Sequence, residues 1–448
     1  MNPILLSVLL MVGLSMLRVP VVLALIIAAI IGGLTAGLAL PDIALAFNAG
    51  LGGGATVALA YATLGAFAVA LARTGLTDKL ATKLLVALNQ KKTHTRKINW
   101  LLIALYASVI SLGFLSETLI PIHIAFIPIV IPPLLLAMNR LNLDRRAMAC
   151  AITFSIIVMY MAIPVGFGSI FLNDILIGNI NRAGTELGFS VTLNQAMSAM
   201  ALPALGMLFG LTVALLFSYR KKRHYADNPL TQELGATKPD AVLKPWQVAV
   251  IVLGLVLALL TQLYTDSMIF GALVGFSIIS TSGLIKRHEQ DQVFTQGMRL
   301  MAQVGFIMIT AAGFAEVMRA TGNLPFLVES SVLLIGDSKA LAALVMLLVG
   351  LFITMGIGSS FSTIPIIAAI YVPLCVAFGF SELATIALIG AAAALGDAGS
   401  PASDSTLGPT AGLNADGQHN HIWDTVVPTF IHFNIPLIVF GWAAAMLL

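Results

Sequence analysis

Long apolar stretches recur along the whole chain and are separated by short polar breaks. Val248 to Leu260 and Ala340 to Thr354 are two of them. With their flanks, many approach the ~20 residues that a helix needs to span ~30 Å of hydrocarbon. Charged residues make up 10% of the chain, against about 25% in an ordinary soluble domain. The sequence therefore predicts an all-α polytopic membrane protein rather than a barrel, whose strands would alternate apolar and polar residues.

The first apolar stretch begins at the amino terminus. Met1 to Leu17 has neither a basic region before it nor a small-residue cleavage site after it, so we expect a spanning helix rather than a removable signal peptide. Cys150 and Cys375 are the only cysteines, and they lie far apart in apolar stretches. They support neither a disulfide framework nor a thiolate metal site.

Basic residues are distributed unevenly over the polar breaks. If the breaks alternate between two sides, 20 of the 23 lysines and arginines fall on one side, and only Arg182, Arg319 and Lys339 fall on the other. Positive charge collects in short cytoplasmic loops. We therefore expect a bacterial-type inner membrane protein whose amino terminus is outside and whose linker, residues 220–245, is cytoplasmic.

The segments on the two sides of this linker resemble each other. Gly65 to Gly75 resembles Ala312 to Gly322, and Leu119 to Ile122 resembles Thr363 to Ile366. The residues after Gly75 are strongly basic, whereas those after Gly322 are not. The same element therefore ends on opposite sides, which is typical of inverted-topology repeats with a binding site near the midplane. We predict that residues 1–219 and 246–448 are two such repeats.

Each repeat contains two apolar arms joined by a short polar tip. The arms cover residues 98–138, with the tip Ser116-Glu117-Thr118, and residues 340–378, with a tip that includes Ser360, Ser362 and Thr363. Neither tip is long enough to emerge comfortably into water. We therefore expect re-entrant hairpins whose tips face protein or a wet cavity at mid-depth. Two full crossings remain the alternative, since the charge distribution fits both.

Each repeat also contains a helix interrupted by glycine and proline. Residues 148–170 hold the first interruption, at Pro164, Gly166, Gly168 and Ser169, and residues 383–406 hold the second, at Asp397, Ser400, Pro401, Ser403, Asp404, Ser405 and Thr406. Proline removes a backbone donor and glycine permits unwinding, which frees carbonyl oxygens to bind a cation such as Na⁺. We expect Ser403, Asp404 and Thr406 to supply Na⁺ ligands. A kinked but continuous helix is the alternative for both.

Four acidic residues fall within or next to the apolar stretches: Glu117, Glu316, Asp397 and Asp404. Ionisable groups in a membrane are costly and by default mark ion or substrate pathways. No basic partner is evident for them, because the basic residues are assigned to loops. An acidic membrane interior without basic partners therefore favours binding of a cation, a protonated amine or exchanged protons. For Glu316 and Asp397, the alternative is a position at a helix end in headgroup water.

Histidines add further candidates. His123 lies one turn beyond the first tip and, like Glu117 and Glu316, is a candidate for proton coupling; packing in an apolar helix is its alternative role. His419 and His421 resemble a metal-binding pair only weakly, and we expect them to be solvent-exposed loop residues.

The run from Ser400 to Thr406, the Gly396-Asp397 pair before it and the duplicated halves resemble the sodium/proton antiporter family of the ion transporter superfamily. The stretch from Gly396 to Pro436 is similar to a subgroup described both as antiporters and as amino-acid permeases, histidine permeases included. The resemblance covers nearly the whole chain. It implies a scaffold and a transport domain in each protomer of a homodimer, an elevator-like movement, and a site formed by both tips and both interruptions.

One departure from the superfamily bears on the substrate. Carriers of dicarboxylates often have Ser-Asn-Thr at the first tip, where this chain has Ser116-Glu117-Thr118. A glutamate at that position would repel a dianion, so the resemblance does not extend to dicarboxylate transport.

We therefore expect a secondary active transporter, not an enzyme, that works by alternating access coupled to Na⁺ or H⁺. Its substrate would be a cationic or zwitterionic amino acid such as histidine, or Na⁺ itself in exchange for H⁺. No cofactor and no nucleic acid are expected beside the coupling ion, the substrate and the lipid bilayer. An intramembrane hydrolase using Ser116, His123 and Asp404 is disfavoured, because no nucleophile elbow, zinc motif or P-loop is present. A channel is disfavoured because no selectivity-filter repeat is present.

Overall fold

The computed structural model describes residues 2–17, 19–75, 95–118, 123–226, 243–265, 267–401 and 403–448. Every regular element in these ranges is a helix. The helices are α1 (Pro3–Met16), α2 (Val21–Thr35), α3 (Leu40–Arg73), α4 (Thr95–Thr118), α5 (His123–Arg140), α6 (Arg145–Ala162), α7 (residues 167–187), α8 (Leu193–Ser218), α9 (Pro245–Thr265), α10 (Met268–Thr281), α11 (Gln290–Ala320), α12 (Leu324–Ile335), α13 (Lys339–Ile357), α14 (Ser360–Ala377), α15 (Glu382–Asp397), α16 (Asp404–Leu413) and α17 (His421–Leu447).

Six helices within the described ranges are long and apolar enough to cross a membrane. They are Gly54–Arg73, Arg145–Ala162, Leu193–Ser218, Pro245–Thr265, Ser360–Ala377 and His421–Leu447. Helix α9 leaves large apolar side chains about half exposed, among them Val252, Leu253 and Leu260. An apolar exterior of this kind suits a helix that faces lipid. The prediction of an all-helical, multi-pass membrane protein is confirmed.

The two sides of the linker present the same series of elements. Each begins with two helices (α1 and α2, or α9 and α10), followed by one long helix (α3 or α11), a helix pair, an interrupted helix and a last helix. The second half also contains α12, and the corresponding residues of the first half, 76–94, lie outside the described ranges. That the two halves have inverted topology stays a prediction.

The long helices α3 and α11 pack against each other at glycines. A Cβ atom added to Gly65 would lie 2.3 Å from the carbonyl oxygen of Gly297, and one added to Gly297 would lie 2.3 Å from the backbone of Ala66. Small residues allow such backbone contact between membrane helices. The sequence predicts these two helices at Val57–Leu71 and Leu300–Met318, and both predictions begin too late. The glycines and polar residues before them resemble loop residues but form part of this contact surface.

Both predicted interruptions are present, and both have a second helical arm that the sequence analysis missed or shortened. The first separates α6 from α7 at residues 163–166, where Gly166 has φ +66°. The second includes Gly396, which has φ +82°, and continues to Ser403, where α16 begins. Proline and glycine explain both breaks, because proline lacks a backbone donor and glycine tolerates the positive φ found at Gly166 and Gly396. The predicted limits, 148–170 and 383–406, left out most of α7 and α16, and α12 was not predicted at all.

The polar tips of the two helix pairs lie beside these interruptions. A Cβ atom on Gly166 would lie 2.2 Å from the carbonyl oxygen of Glu117 in the first tip. In the second tip, the Ser360 hydroxyl donates a hydrogen bond to Asp397, the last residue of α15. The fold therefore brings two tips and two interrupted helices to one place.

Candidate functional site

Asp397 lies at the centre of this meeting point. It is 6% exposed, and its carboxylate is surrounded by hydroxyl groups from three elements. Tyr160 of α6 donates to Oδ2 at 2.7 Å, Ser360 of α14 donates to the same oxygen, Ser403 donates to Oδ1, and the Ser405 hydroxyl lies 3.2 Å from Oδ1. Hydrogen bonds to an ionised acceptor are stronger than neutral ones. Asp397 therefore lies at the end of α15 with its carboxyl group buried among hydroxyl groups of the protein.

The unwound segment after Asp397 is held by its own side chains. Ser403 caps α16 by accepting a 3.1 Å hydrogen bond from the backbone amide of Ser405. The Thr406 hydroxyl lies 2.5 Å from the carbonyl oxygen of Ser400 and 3.0 Å from that of Ser403. A serine at the start of a helix satisfies a backbone donor that has no helical partner. These bonds fix the position of the hydroxyls around Asp397.

A second support comes from α17. The side-chain oxygen of Asn434 accepts a 3.1 Å hydrogen bond from the backbone amide of Gly396, the residue before Asp397. Asn434 ends a π-helical turn, Phe430–Asn434, which changes the direction in which its side chain points. Such turns occur frequently at functional sites.

A cavity of about 50 Å³ lies next to the Asp397 carboxylate. It is lined by Tyr61, Glu117, Ile156, Tyr160, Phe167, Met301, Gly358, Ser359, Phe361, Asp397, Ser403, Asp404 and Ser405. This volume accommodates a few water molecules or a small ion, and it is well below the ~300 Å³ at which small-molecule pockets begin. Three carboxyl groups line it, and no lysine or arginine is among its described lining residues.

The three carboxyl groups differ in their surroundings. Glu117, in the last turn of α4, is 2% exposed. Asp404 begins α16 and is partly exposed at the edge of the cavity. Asp397 lies between the hydroxyl groups described above. The cavity is therefore acidic from its buried end to its edge.

Aromatic rings form part of the wall of the same cavity. The Tyr160 ring lies 5.0 Å from that of Phe361, and the Tyr61 ring lies 5.4 Å from that of Phe167 and 5.7 Å from that of Phe361, centroid to centroid. Aromatic faces attract cations, and more strongly where water is excluded. The wall is therefore compatible with an organic cation as well as with a metal ion.

Several predicted site residues belong to these elements but do not line the cavity. Ser116 and Thr118 donate to the carbonyl oxygens of Gly113 and Phe114 in their own helix, and Thr363 donates to that of Ser359. Ser362 lies against Met308, while Pro164, Gly168, Ser169, Ser400 and Pro401 shape the interruptions.

Of the predicted Na⁺ ligands, Ser403 and Asp404 line the cavity, and the Thr406 hydroxyl is directed at backbone carbonyls. Helix α5 begins at His123, whose side chain lies outside the described part of the structure.

The expectation that Glu316 has no basic partner is wrong. Arg319, three residues later on α11, forms an ion pair with it at 2.6 Å. The two residues lie on one helix face because of this spacing, and they line a separate, open groove of about 970 Å³ between α7, α11, α12 and α14. The structure therefore separates Glu316 from the other three carboxyl groups.

The assignment of every basic residue to a loop is also wrong. Arg145 is fully buried at the start of α6 and forms an ion pair with Asp416 at 2.6 Å, both side chains being 0% exposed. The neighbouring Arg146 is one-third exposed. From sequence these two arginines are equivalent, because nothing in an Arg-Arg pair shows which side chain points into the protein.

The expectation that His419 is solvent-exposed is wrong as well. It is 3% exposed, and its Nε2 lies 2.7 Å from the Thr425 hydroxyl. Burial, the largest cause, lowers the pKa of His419 to about 4. The His421 ring contacts different partners, the Thr410 hydroxyl and the carbonyl oxygen of Pro401. Within the described ranges, no group of three or more histidine, cysteine or acidic side chains is placed to hold a metal ion.

Tyr160 and Tyr61 were missed in the sequence analysis. Tyr160 lies four residues before Pro164 in an otherwise apolar helix. A buried tyrosine usually requires a partner for its hydroxyl group, so a lone tyrosine near a proline break was a usable signal. Nothing in the sequence around Tyr61 distinguishes it from other residues of a long apolar helix.

Comparisons with known proteins agree with this architecture. Residues 151–442 match the Na⁺/H⁺ antiporter family, and residues 2–88 match a further Na⁺-H⁺ antiporter family. The chain is 56% identical over 448 residues to an uncharacterized membrane protein of Vibrio parahaemolyticus, with 100% of both chains covered. It is 49% identical over 455 residues to YuiF of Bacillus subtilis, which is provisionally named an amino acid transporter, again with 100% of both covered.

Solved structures share the fold at low sequence identity. The YdaH transporter of Alcanivorax borkumensis matches with a TM-score of 0.57 and 14% identity over 90% of this chain and 87% of YdaH. MtrF of Neisseria gonorrhoeae, from a class of antimetabolite efflux pumps, matches with a TM-score of 0.61 and 17% identity over 91% of this chain and 85% of MtrF. The first family match alone covers well over half of the sequence. The chain belongs to the Na⁺/H⁺ antiporter family and is a secondary transporter, for which the family implies coupling to Na⁺ or H⁺.

Proposed function

We propose that the acidic cavity binds the coupling cation, and that this chain uses the bound cation to move a cationic or zwitterionic amino acid such as histidine. The observation that carries the proposal is the Asp397 carboxylate with hydroxyl groups on both of its oxygens. Each of these hydroxyls donates its proton to Asp397 and keeps oxygen lone pairs that can face a cation. Hard cations such as Na⁺ prefer oxygen ligands of this kind.

Charge explains how Na⁺ and protons compete at the site. Glu117, Asp397 and Asp404 surround one small cavity with no described lysine or arginine in its lining. Several negative charges inside a membrane protein are costly unless a cation or protons neutralise them. A cation that enters displaces protons, and protons that enter displace the cation. This exchange is the elementary step of an antiporter.

The size of the cavity limits what is bound in this conformation. About 50 Å³ accepts an ion but not an amino acid. An amino acid would require Ser359 and Phe361 of the second tip to move away from Tyr160 and Tyr61. The aromatic wall and the acidic groups would then face the substrate's ammonium group, while the helix starts near the breaks would favour its carboxylate. The name given to YuiF, a relative at 49% identity, agrees with an amino acid substrate.

Movement of the tips fits a re-entrant arrangement better than two full crossings. Both tips contact the interruptions of α6–α7 and α15–α16, not the outer ends of these helices. We infer that tips and interruptions lie at mid-depth, that α4–α5 and α13–α14 are re-entrant hairpins, and that they act as gates in alternating access. The proposal also includes inverted repeats and an elevator-like movement in a homodimer. It places the protein in the inner membrane, with the amino terminus outside and residues 220–245 cytoplasmic.

Simple Na⁺/H⁺ exchange is the second candidate, and the small volume of the cavity favours it. Purified protein in proteoliposomes distinguishes the two. An imposed Na⁺ or pH gradient should drive uptake of radiolabelled histidine if the first proposal holds. If a pH-sensitive dye inside the vesicles shows Na⁺-dependent proton movement while none of the twenty amino acids is taken up, simple exchange is the function.

The cation site itself is tested by Asp397→Asn. This variant should lose both histidine uptake and Na⁺-dependent proton movement, because the amide cannot neutralise a cation. Asp337→Asn, which changes an exposed acidic residue outside the cavity, serves as the matched control and should behave as the wild-type protein does. Unchanged transport by correctly folded Asp397→Asn would contradict the proposal.

A further inference from the structure

A single buried guanidinium group, that of Arg145, links its own helix to two others. Its two terminal nitrogens form a two-pronged ion pair with Asp416, at 2.7 and 2.6 Å. One of these nitrogens also donates to the carbonyl oxygen of Leu413 at 2.9 Å, and the other donates to the side-chain oxygen of Asn139 at 2.9 Å. The group therefore joins the start of α6 to the end of α16 and to the last turn of α5.

The helices joined at Arg145 lead to the cation site. Helix α6 carries Tyr160 near its far end, and α16 begins with Asp404 and Ser405 beside Asp397. Tyr160 is fifteen residues from Arg145, which is about 22 Å along a helix. Arg145 therefore does not touch the cation, but both helices attached to it do contribute to the cavity.

A second tie joins the same two helices closer to the site. The Thr153 hydroxyl of α6 donates a 2.7 Å hydrogen bond to the backbone carbonyl of Ser405 in α16. Eight residues separate Arg145 from Thr153, and eight separate Ser405 from Leu413, so the two ties are about 12 Å apart along each helix. The antiparallel helices are thus held at two matched levels, which fixes how far one can slide along the other.

We propose that Arg145 is a positioning residue of the transport site, which sets the register of α16 against α6 and thereby the distance of Ser403 and Ser405 from Asp397 and Tyr160. This inference rests on the proposed cation site. Groups that orient the ligands of a bound ion, without touching the ion, commonly change its affinity about 10- to 100-fold when they are removed.

The shape of arginine is necessary for this role. A guanidinium group is planar and presents several donors in fixed directions, whereas a lysine ammonium group is a compact point charge. Arg145 uses its two ends for Asp416 and in addition one carbonyl and one amide oxygen. A lysine at this position would keep the positive charge but lose at least some of these four hydrogen bonds.

The start of the linker covers this group from the solvent. The Tyr225 ring stacks on the Arg145 guanidinium at 4.3 Å, and its hydroxyl accepts a 3.1 Å hydrogen bond from the Arg145 backbone amide. Nearby, Arg223 pairs with Asp424 at 2.7 Å. Low exposure strengthens the Arg145–Asp416 ion pair, because water competes less for its charges.

The test compares Arg145→Lys with Arg146→Lys, the same change at the next residue. Arg146 is partly exposed and bonds mainly to Asp144, outside the three-helix junction. Na⁺ affinity is measured by Na⁺-dependent thermal stabilisation of the purified full-length protein, with Asp397→Asn as the reference without a site. We expect Arg145→Lys to weaken Na⁺ binding about tenfold or more and Arg146→Lys to leave it unchanged. A monodisperse Arg145→Lys protein with wild-type Na⁺ affinity would overturn the inference, even if its melting temperature were lower.

If Arg145→Lys does not fold, the double variant Arg145→Met with Asp416→Leu replaces it, since exchange of a buried ion pair for apolar residues is often tolerated. Weaker Na⁺ binding by the double variant then supports the inference, and wild-type Na⁺ affinity overturns it. Hydrogen exchange of residues 403–413 in ligand-free protein provides a readout that does not need Na⁺, and unchanged protection there would also overturn the inference. Absence of any Na⁺ response in the wild-type protein contradicts the proposed function, while the exchange measurement still decides the role of Arg145.

Discussion

The hydroxyl of Tyr160 donates a 2.7 Å hydrogen bond to Oδ2 of Asp397, and this bond joins the two interrupted helices directly. Tyr160 belongs to the first half of the chain and Asp397 to the second. The same hydroxyl lies 2.7 Å from that of Ser360 in the second tip. A movement of the tip or of either interrupted helix therefore changes the surroundings of one carboxylate, which is what a coupled transporter requires.

Tyr160→Phe should weaken cation binding without disturbing the packing of the site. The ring would still contact Phe171 and Phe361, but Asp397 would lose one donor. A hydrogen bond to a charged group contributes about 1.5–3 kcal/mol, which corresponds to roughly a 10- to 100-fold loss of affinity if the bond is made only in the cation-bound arrangement. The Na⁺ concentration for half-maximal transport measures the effect.

Tyr371→Phe is the matched control for that prediction. Tyr371 is also a buried tyrosine, and its hydroxyl donates to the carbonyl oxygen of Met346 at 2.6 Å, away from the cavity. Its loss should lower stability by about 1 kcal/mol and leave the Na⁺ dependence unchanged. Equal effects of the two substitutions on Na⁺ dependence would show that Tyr160 has no special role.

The elements of this site were predictable because their signals are local. Glycine and proline interrupt helices by backbone chemistry alone, so Gly166 and the run from Ser400 to Thr406 could be identified without a fold. An acidic residue in an apolar stretch is costly wherever the stretch lies, which identified Glu117, Asp397 and Asp404. That these elements come together is a property of the tertiary fold, and the evidence for it was the duplication of the sequence together with the family resemblance.

The partners of these residues could not be predicted, because they depend on which helices pack together. Glu316 and Arg319 are an exception, because they lie three residues apart on one helix; their pairing was missed because Arg319 was assigned to a loop. Arg145 and Asp416 are far apart in sequence, and no local pattern connects them. The length of α3 was underestimated because its glycines, which allow contact with α11, are also typical of loops.

Gly166→Ala should block the arrangement of the first tip against the first interruption. A Cβ atom at this position would lie 2.2 Å from the carbonyl oxygen of Glu117 and 2.6 Å from that of Thr118, and the residue has φ +66°. Backbone must move to accommodate it. Gly336→Ala is a close control, since Gly336 has φ +69° and ψ −159°, near the φ +66° and ψ −132° of Gly166, with open space around its Cβ position. Both carry the strain of a positive φ, so any additional loss of transport in Gly166→Ala measures the contact with the tip.

Glu117→Gln and Glu316→Gln separate the two acidic candidates for proton coupling. Glu117 lines the cavity and Glu316 is paired with Arg319 in a different groove. We expect Glu117→Gln to abolish Na⁺-dependent proton movement, or to shift its pH profile strongly, and Glu316→Gln to retain the wild-type profile. The measurement is the pH dependence of transport in proteoliposomes. A normal profile for Glu117→Gln together with an altered one for Glu316→Gln would assign the coupling to α11.

His419 should make the stability of the protein sensitive to mild acid. Burial lowers its pKa to about 4 in the folded protein, against about 6.5 in an unfolded chain. Between these values the unfolded state binds a proton that the folded state does not. The free energy of unfolding therefore decreases as the pH falls from about 6.5 to about 4, by up to about 3 kcal/mol, and the contribution is complete above pH 6.5.

Thermal unfolding of the purified protein across this pH range tests that prediction with His419→Gln. Glutamine preserves a polar group for the Thr425 hydroxyl, which lies 2.7 Å from Nε2 of the histidine, but it cannot take up a proton in this range. The melting temperature of His419→Gln should fall less steeply below pH 6.5 than that of the wild-type protein. His288→Gln, which replaces a histidine at an exposed position, should follow the wild-type curve. Parallel curves for His419→Gln and the wild-type protein would contradict the prediction and would mean that the negative charge of Asp424, which raises this pKa, offsets the effect of burial.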